Sequence, residues 1–254
     1  GGYTGFYLIS QLGWSLWPAM VMGGLSAGIL AFLLGEAILQ LRGPYFALAT
    51  IGVNQAMLAL ITNLDFLGGS IGMTLNFKVY KEYGGAAQAL QLTFYLMVAI
   101  TVLTVLVSYL IRTSRFGLGL LAIREDEDAA EVMGVVAPRA KTWAYVLSAI
   151  FPGIIGVLFF FKNGNIEPGH AFPLHTSIES IVMVMLGGQG TVLGPILGAA
   201  GYQRMRGYLL TSPVFKNIQL SVAGVLLLLI ILFIPAGAVG WLRNRFPKTR
   251  RVLQ

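Results

Sequence analysis

Apolar residues in this chain come in long continuous runs, separated by short polar or glycine-rich breaks. Neither strand-like alternation nor the one-sided stripe of a soluble helix dominates. The runs over 18–41, 45–61, 92–111, 142–161 and 218–242 are each long enough to cross a bilayer as a helix. Trp14, Trp17 and Pro18 mark an interface and a helix start, and Gly43-Pro44 breaks the chain after Arg42. Pro152-Gly153 predicts a kink within the fourth run. Residues 176–186 are apolar but too short to span alone, and they stop at Gly187-Gly188-Gln189-Gly190. A further stretch over 191–210 is expected to complete a short broken pair with 172–188. Residues 1–12 read as the end of a helix that began earlier, and the opening GGYTGFYLIS has neither Met nor a basic leader, so missing N-terminal helices are expected. The expected fold is all-α: a polytopic transmembrane bundle of about seven spans, one domain over 1–254.

Composition narrows the class. The chain is 56% hydrophobic and 11% charged, with a mean hydropathy of +0.77, whereas a soluble domain carries about 25% charged residues. The runs do not alternate as a transmembrane barrel requires. With no cysteine there is no disulfide, thiolate metal site or thiol nucleophile. The net charge of +7 reads as Lys and Arg held in cytoplasmic loops, not as a nucleic-acid surface.

The polar stretch 112–141 stands apart, holding five of the 17 basic and five of the 10 acidic residues. If it is cytoplasmic, counting spans puts Arg42, this stretch and the C-terminal RNRFPKTRR on one side, with eleven of the 17 basic residues. That places the C-terminus in the cytoplasm. Arg204 and Arg206 fall awkwardly near the outer surface. Within the stretch, REDEDAAEVMG at 124–134 has acidic residues where a helix dipole favours them and Gly134 where a helix stops. It predicts a helix of two to three turns, either a solvated connector or a docking element for a soluble partner.

Two glycine clusters, Gly68-Gly69-Ser70-Ile71-Gly72 and 187–190, interrupt apolar sequence. Each is either a tight turn or a broken helix presenting backbone to a substrate. Gly188, Gly190, Gly194, Gly198 and Gly201 also make small-residue faces for close helix packing. Glu179 lies inside the short segment, where an acid is either functional or hydrogen-bonded for structure. His170 and His175 lack a third ligand at metal spacing. No nucleotide-binding or hydrolase motif is present.

The run SRFGLGLLAIREDEDAAEVMGV, with LGGSIGM upstream and MVMLGGQGTVLGPILGA and IPAGAVGWL downstream, resembles the branched-chain amino-acid ABC permease family, the LivM-like subunit in particular. The resemblance implies a non-enzymatic transport subunit of a bacterial inner membrane, without cofactor or metal. Its implied partners are cytoplasmic ATPase subunits, a second homologous permease and a periplasmic or extracellular substrate-binding protein. The coupling residues would be Glu125, Asp126, Asp128, Ala129, Ala130 and Gly134. The substrate pathway would include Gly68, Gly69, Ser70, Glu179, Gly187, Gly188 and Gly190. Substrates in such a family are branched-chain or other neutral amino acids, or urea and short amides. A secondary transporter would instead need paired intramembrane acids, and a membrane enzyme would need catalytic side chains at one depth.

Overall fold

The computed structural model describes residues 1–41 and 43–211, and Val225. The chain divides into two compact units, Gly1–Phe172 and Pro173–Gln254.

The first unit begins with α1 (Gly2–Ser10), α2 (Leu16–Ile38) and α3 (Pro44–Thr62). A 3-10 turn at Asp65–Leu67, a two-residue strand β1 (Met73–Thr74) and α4 (Lys78–Lys81) follow. Then come α5 (Ala86–Thr113), α6 (Arg115–Glu125), α7 (Glu127–Val132), α8 (Ala137–Asn163), β2 (Asn165–Ile166) and α9 (Pro168–Ala171). The second unit contains α10 (Leu174–Gly187) and α11 (Gly194–Thr211).

Four helices among the described residues, α2, α3, α5 and α8, are long and apolar enough to cross a membrane. They match the first four predicted runs. The predicted last span at 218–242, and the basic tail, lie outside the described residues.

The core is the contact of α2 with α8, with α1 packed on both. It closes because α2 presents small residues to α8. A Cβ on Gly23 would lie 2.4 Å from Val157 Cγ2, and one on Gly24 2.7 Å from Ile154 Cγ1. In return a Cβ on Gly153 would lie 2.6 Å from the Ala27 Cβ. With no Cβ in the way, the two backbones approach closely, which is how helices associate where lipid supplies no hydrophobic drive. α8 runs on through Pro152 as one helix. Phe6, Ile9, Leu16, Leu158, Phe161 and Ile166 are fully buried around this seam. A third of the apolar window of α2 and of α8 is buried, against 6% for α3 and α5. Those outer helices turn Leu48, Leu60, Phe94, Val102 and Leu106 outward.

At the C-terminal end of α8 the chain makes a feature the sequence reading did not foresee. Met73 pairs with Ile166 and Thr74 with Asn165 in a short antiparallel ribbon. The segment between α3 and α5 folds as a compact cap on this end of α8. The Tyr80 hydroxyl donates to the Phe161 carbonyl at 2.6 Å, and burial pushes that phenol above its ordinary pKa. The Tyr83 hydroxyl accepts the Leu16 N–H at 2.7 Å, satisfying a donor in the first turn of α2.

The seam generates a test. Gly153→Val should lower stability by about 1–3 kcal/mol through overpacking against α2. Gly52→Ala, with open space around its Cβ, should be near neutral. Thermal unfolding of both variants in mild detergent checks this.

Candidate functional site

The polar stretch 112–141 is not a loop with one helix in it. α5 extends to Thr113, α8 begins at Ala137, and α6 and α7 occupy most of what lies between. The break between α5 and α6 comes from Ser114, whose extended backbone stops α5 and whose Oγ accepts the Gly117 N–H as the cap of α6. Gly117 must lack a side chain, since a Cβ would meet the Ile111 carbonyl oxygen at 2.1 Å.

α7 is short, and three local devices hold it. Asp126 is its N-cap: the backbone there is extended and Oδ1 accepts the Ala129 N–H at 3.0 Å. Glu127 and Asp128 fill the first turn, where the dipole favours acids. At the other end Gly134 adopts φ +88°. There the Gly134 N–H donates to the Glu131 carbonyl at 2.9 Å and the Val135 N–H to the Ala130 carbonyl at 3.0 Å. This is the paired bonding of a Schellman cap. The third device is an ion pair from Glu127 to Lys141, which ties α7 to the first turns of α8.

The orientation of α7 divides the expected coupling residues between two sides. Ala130 is 3% exposed and faces the rest of the chain, so its side chain is not on a free docking face. Ala129 is exposed, and Val132 and Met133 are 87% and 84% exposed. Val132 and Met133 follow Ala129 by three and four residues, on the same side of the helix. Glu125, the last residue of α6, and Asp128 are also at the surface. Val132 and Met133 were missed, although their spacing from Ala129 was the available signal.

The first glycine cluster is a turn. Gly68, Gly69 and Gly72 have φ of +87°, +53° and +82°. A Cβ on Gly72 would lie 2.1 Å from the Ile166 carbonyl oxygen, so the segment folds directly onto β2. Ser70 is exposed at its tip.

The second cluster joins α10 to α11. Gly188 and Gly190 take φ of +117° and +77°. Thr191 Oγ1 accepts the Gly194 N–H at 3.0 Å and starts the returning helix. A Cβ on Gly187 would lie 1.7 Å from the Gly194 carbonyl oxygen, and one on Gly198 1.9 Å from the Met183 carbonyl oxygen. The small-residue packing face is therefore real. At 14 residues α10 is about 21 Å long, short of the roughly 30 Å hydrocarbon core.

Glu179 is largely buried and accepts from Arg206 Nη1 at 2.8 Å, beside the buried Tyr202. From sequence the acid is either functional or hydrogen-bonded for structure, and Arg206 falls awkwardly near the outer surface. Pairing 187 with 194 and 183 with 198 sets a register in which 179 is level with 202, one turn from 206. The pair resolves both oddities. His170 contacts Glu167 through Nδ1 at 3.0 Å at an exposed site.

So many apolar side chains turned outward on four long helices have no stable place in water, which makes this an integral membrane protein of the polytopic α-helical class. The particular family follows from likeness in sequence. Residues 1–235 match the family described as branched-chain amino acid transport system / permease component, and the chain belongs to that family.

It is 28% identical to the high-affinity branched-chain amino acid transport system permease protein LivM of Escherichia coli (strain K12), over 95% of this chain and 64% of that protein. It is also 28% identical to the probable branched-chain amino acid transport permease protein LivM of Methanocaldococcus jannaschii, over 87% of this chain and 68% of the other. The fructose import permease protein FrcC of Rhizobium meliloti is 25% identical, over 72% of this chain and 53% of FrcC. The chain thus spans a little under two thirds of the length of the E. coli relative. No solved structure matches the chain.

Two outcomes are expected. Glu179→Gln or Arg206→Gln alone should cost about 1–3 kcal/mol, and the double variant less than the sum; a double-mutant cycle on thermal unfolding reads this. Asp126→Ala should remove about 1 kcal/mol from α7 alone, seen as about fivefold faster amide exchange over 127–133 with the spans unchanged.

Proposed function

We propose that this chain is a membrane-spanning permease subunit of a binding-protein-dependent ABC importer, carrying branched-chain or other neutral amino acids into the cytoplasm. The observation that supports the reading best is α7. It is a surface helix made rigid at both ends, tied to a span, and presenting Ala129, Val132 and Met133 outward. Exposed apolar residues on a preorganised element are what a docking partner needs. The proposed partners are cytoplasmic ATPase subunits, a second homologous permease and a periplasmic or extracellular substrate-binding protein. The substrate class rests on the LivM proteins, whose likeness covers more of this chain than that of the fructose permease.

In this reading Glu125, Asp126, Asp128, Ala129, Ala130 and Gly134 all serve coupling, with divided tasks. Ala129 and Asp128 meet the ATPase together with Val132 and Met133, and Glu125 flanks them. Asp126, Ala130 and Gly134 shape and seat the helix. Gly187, Gly188 and Gly190 form a hinge between two short helices, and Glu179 holds that pair together. Gly68, Gly69 and Ser70 form a turn on the far side of the bundle from α7. The C-terminus lies in the cytoplasm with α7.

The test is co-purification with the cognate ATPase subunits. Ala129→Arg and Met133→Asp should insert normally and lose ATPase recruitment by about tenfold or more. Transport by wild type without any ATPase would overturn the reading in favour of a secondary transporter. Sidedness is read independently. The chain has no cysteine, so Val132→Cys is a unique label site, and an impermeant thiol reagent should reach it only in inside-out vesicles.

A further inference from the structure

A cleft of about 420 Å³ opens where the last turns of α2, the helix α7 and the first turns of α8 meet. Its polar walls are Glu36 from α2, Glu131 from α7, and Arg139 and Lys141 from α8. Lys141 is engaged by Glu127, which also lines the cleft. The apolar wall is Phe32 and Trp143, whose ring centroids lie 6.2 Å apart.

Two features say what fits. The first is position. α2 and α8 are both long enough to span, and the cleft lies at the ends of both, which is headgroup level in a bilayer. Leu25, Ile29 and Leu33 form an exposed stripe along α2 at four-residue spacing. Glu36 continues that stripe three residues on. A lipid whose chains lie along the stripe therefore brings its headgroup to Glu36.

The second is charge. The cleft carries both signs. Arg139 is suited to a phosphate. Glu36 and Glu131 are suited to a primary ammonium, which offers three donors. A purely anionic headgroup would meet these carboxylates, and a quaternary ammonium would have no N–H to give them. The volume is in the range of small-molecule sites.

We propose that this cleft binds the phosphoethanolamine headgroup of a bilayer phospholipid, with the phosphate on Arg139 and the ammonium between Glu36 and Glu131. Because Glu131 belongs to α7, the lipid joins that helix to the ends of two spans. The proposal needs only that the chain is in a membrane; it does not rest on ATPase recruitment or on transport, so the two readings fail separately.

The test is lipid retention by the full-length protein, together with whatever subunits co-purify with it. The preparation is delipidated in mild detergent, offered equimolar phosphatidylethanolamine, phosphatidylglycerol and phosphatidylcholine, and examined by native mass spectrometry. Wild type should retain phosphatidylethanolamine over each of the others by about tenfold. Arg139→Gln should lose that retention. Glu36→Gln combined with Glu131→Gln should lose it too, and should shift preference toward phosphatidylglycerol. Soluble glycerophosphoethanolamine at equal concentration should not displace the lipid, because it lacks the chains that lie along α2. Equal retention of all three lipids, retention of phosphatidylglycerol above phosphatidylethanolamine, unchanged selectivity in both variants, or a cleft shielded by another subunit with no lipid bound would each overturn the proposal. All three substituted side chains are exposed, and wild-type selectivity alone decides the matter should a variant fail to fold.

Discussion

Lipid tails are as apolar as leucine, so in a bilayer apolar helices gain nothing by simply hiding from their solvent. They associate by close contact, and here that contact is the seam of α2 against α8. Gly23, Gly24 and Gly28 on one helix and Gly153 on the other allow it. Everything else in the first unit is attached to this pair. α1 lies on both helices, with Gly5 directly over Val157. The ribbon and the tyrosine-bonded cap hold the C-terminal end of α8. α7 is tied to its N-terminal end through Lys141. α3 and α5, by contrast, keep most of their apolar surface outward.

α7 follows a different physical rule. A six-residue helix has no stability of its own in water, because nucleation costs more than so few hydrogen bonds return. It persists because side-chain and backbone caps satisfy its ends and an ion pair anchors it. The ordering is complete before any partner arrives, so a partner need not supply it. The cost is borne by leaving Val132 and Met133 in the open.

The long elements were legible in the sequence, and the local pairings were only partly so. Continuous apolar runs located α2, α3, α5 and α8 to within a few residues, because length and hydropathy alone decide a span. The acids at 125–128 and Gly134 located α7, since caps and dipoles act over one turn and leave a local signature. Ser114 was harder: a single capping serine turned part of an expected loop into one further helix, α6. The inward face of Ala130 was hidden because a six-residue helix has too little period to show which side is buried. Glu179 and Arg206 were each conspicuous, yet their partnership depends on the register of α10 against α11, which glycine contacts fix. The ribbon of β1 and β2 joins residues more than 90 positions apart through two-residue strands that carry no alternation to read.

The seam also has a mechanical meaning. Gly153, where a Cβ would meet Ala27 and the Gly23 carbonyl of α2, is not at the middle of α8. It stands 16 residues from Ala137 and 10 from Asn163, giving arms of about 24 Å and about 15 Å. The contact does not end there: a Cβ on Gly28 would meet Ile150 and one on Gly35 would meet Tyr145, so α8 bears on α2 along the longer arm, toward α7. A load applied at the α7 end is therefore shared by two helices before it reaches Gly153, and the shorter arm carries only the ribbon and the Gly68–Gly72 turn.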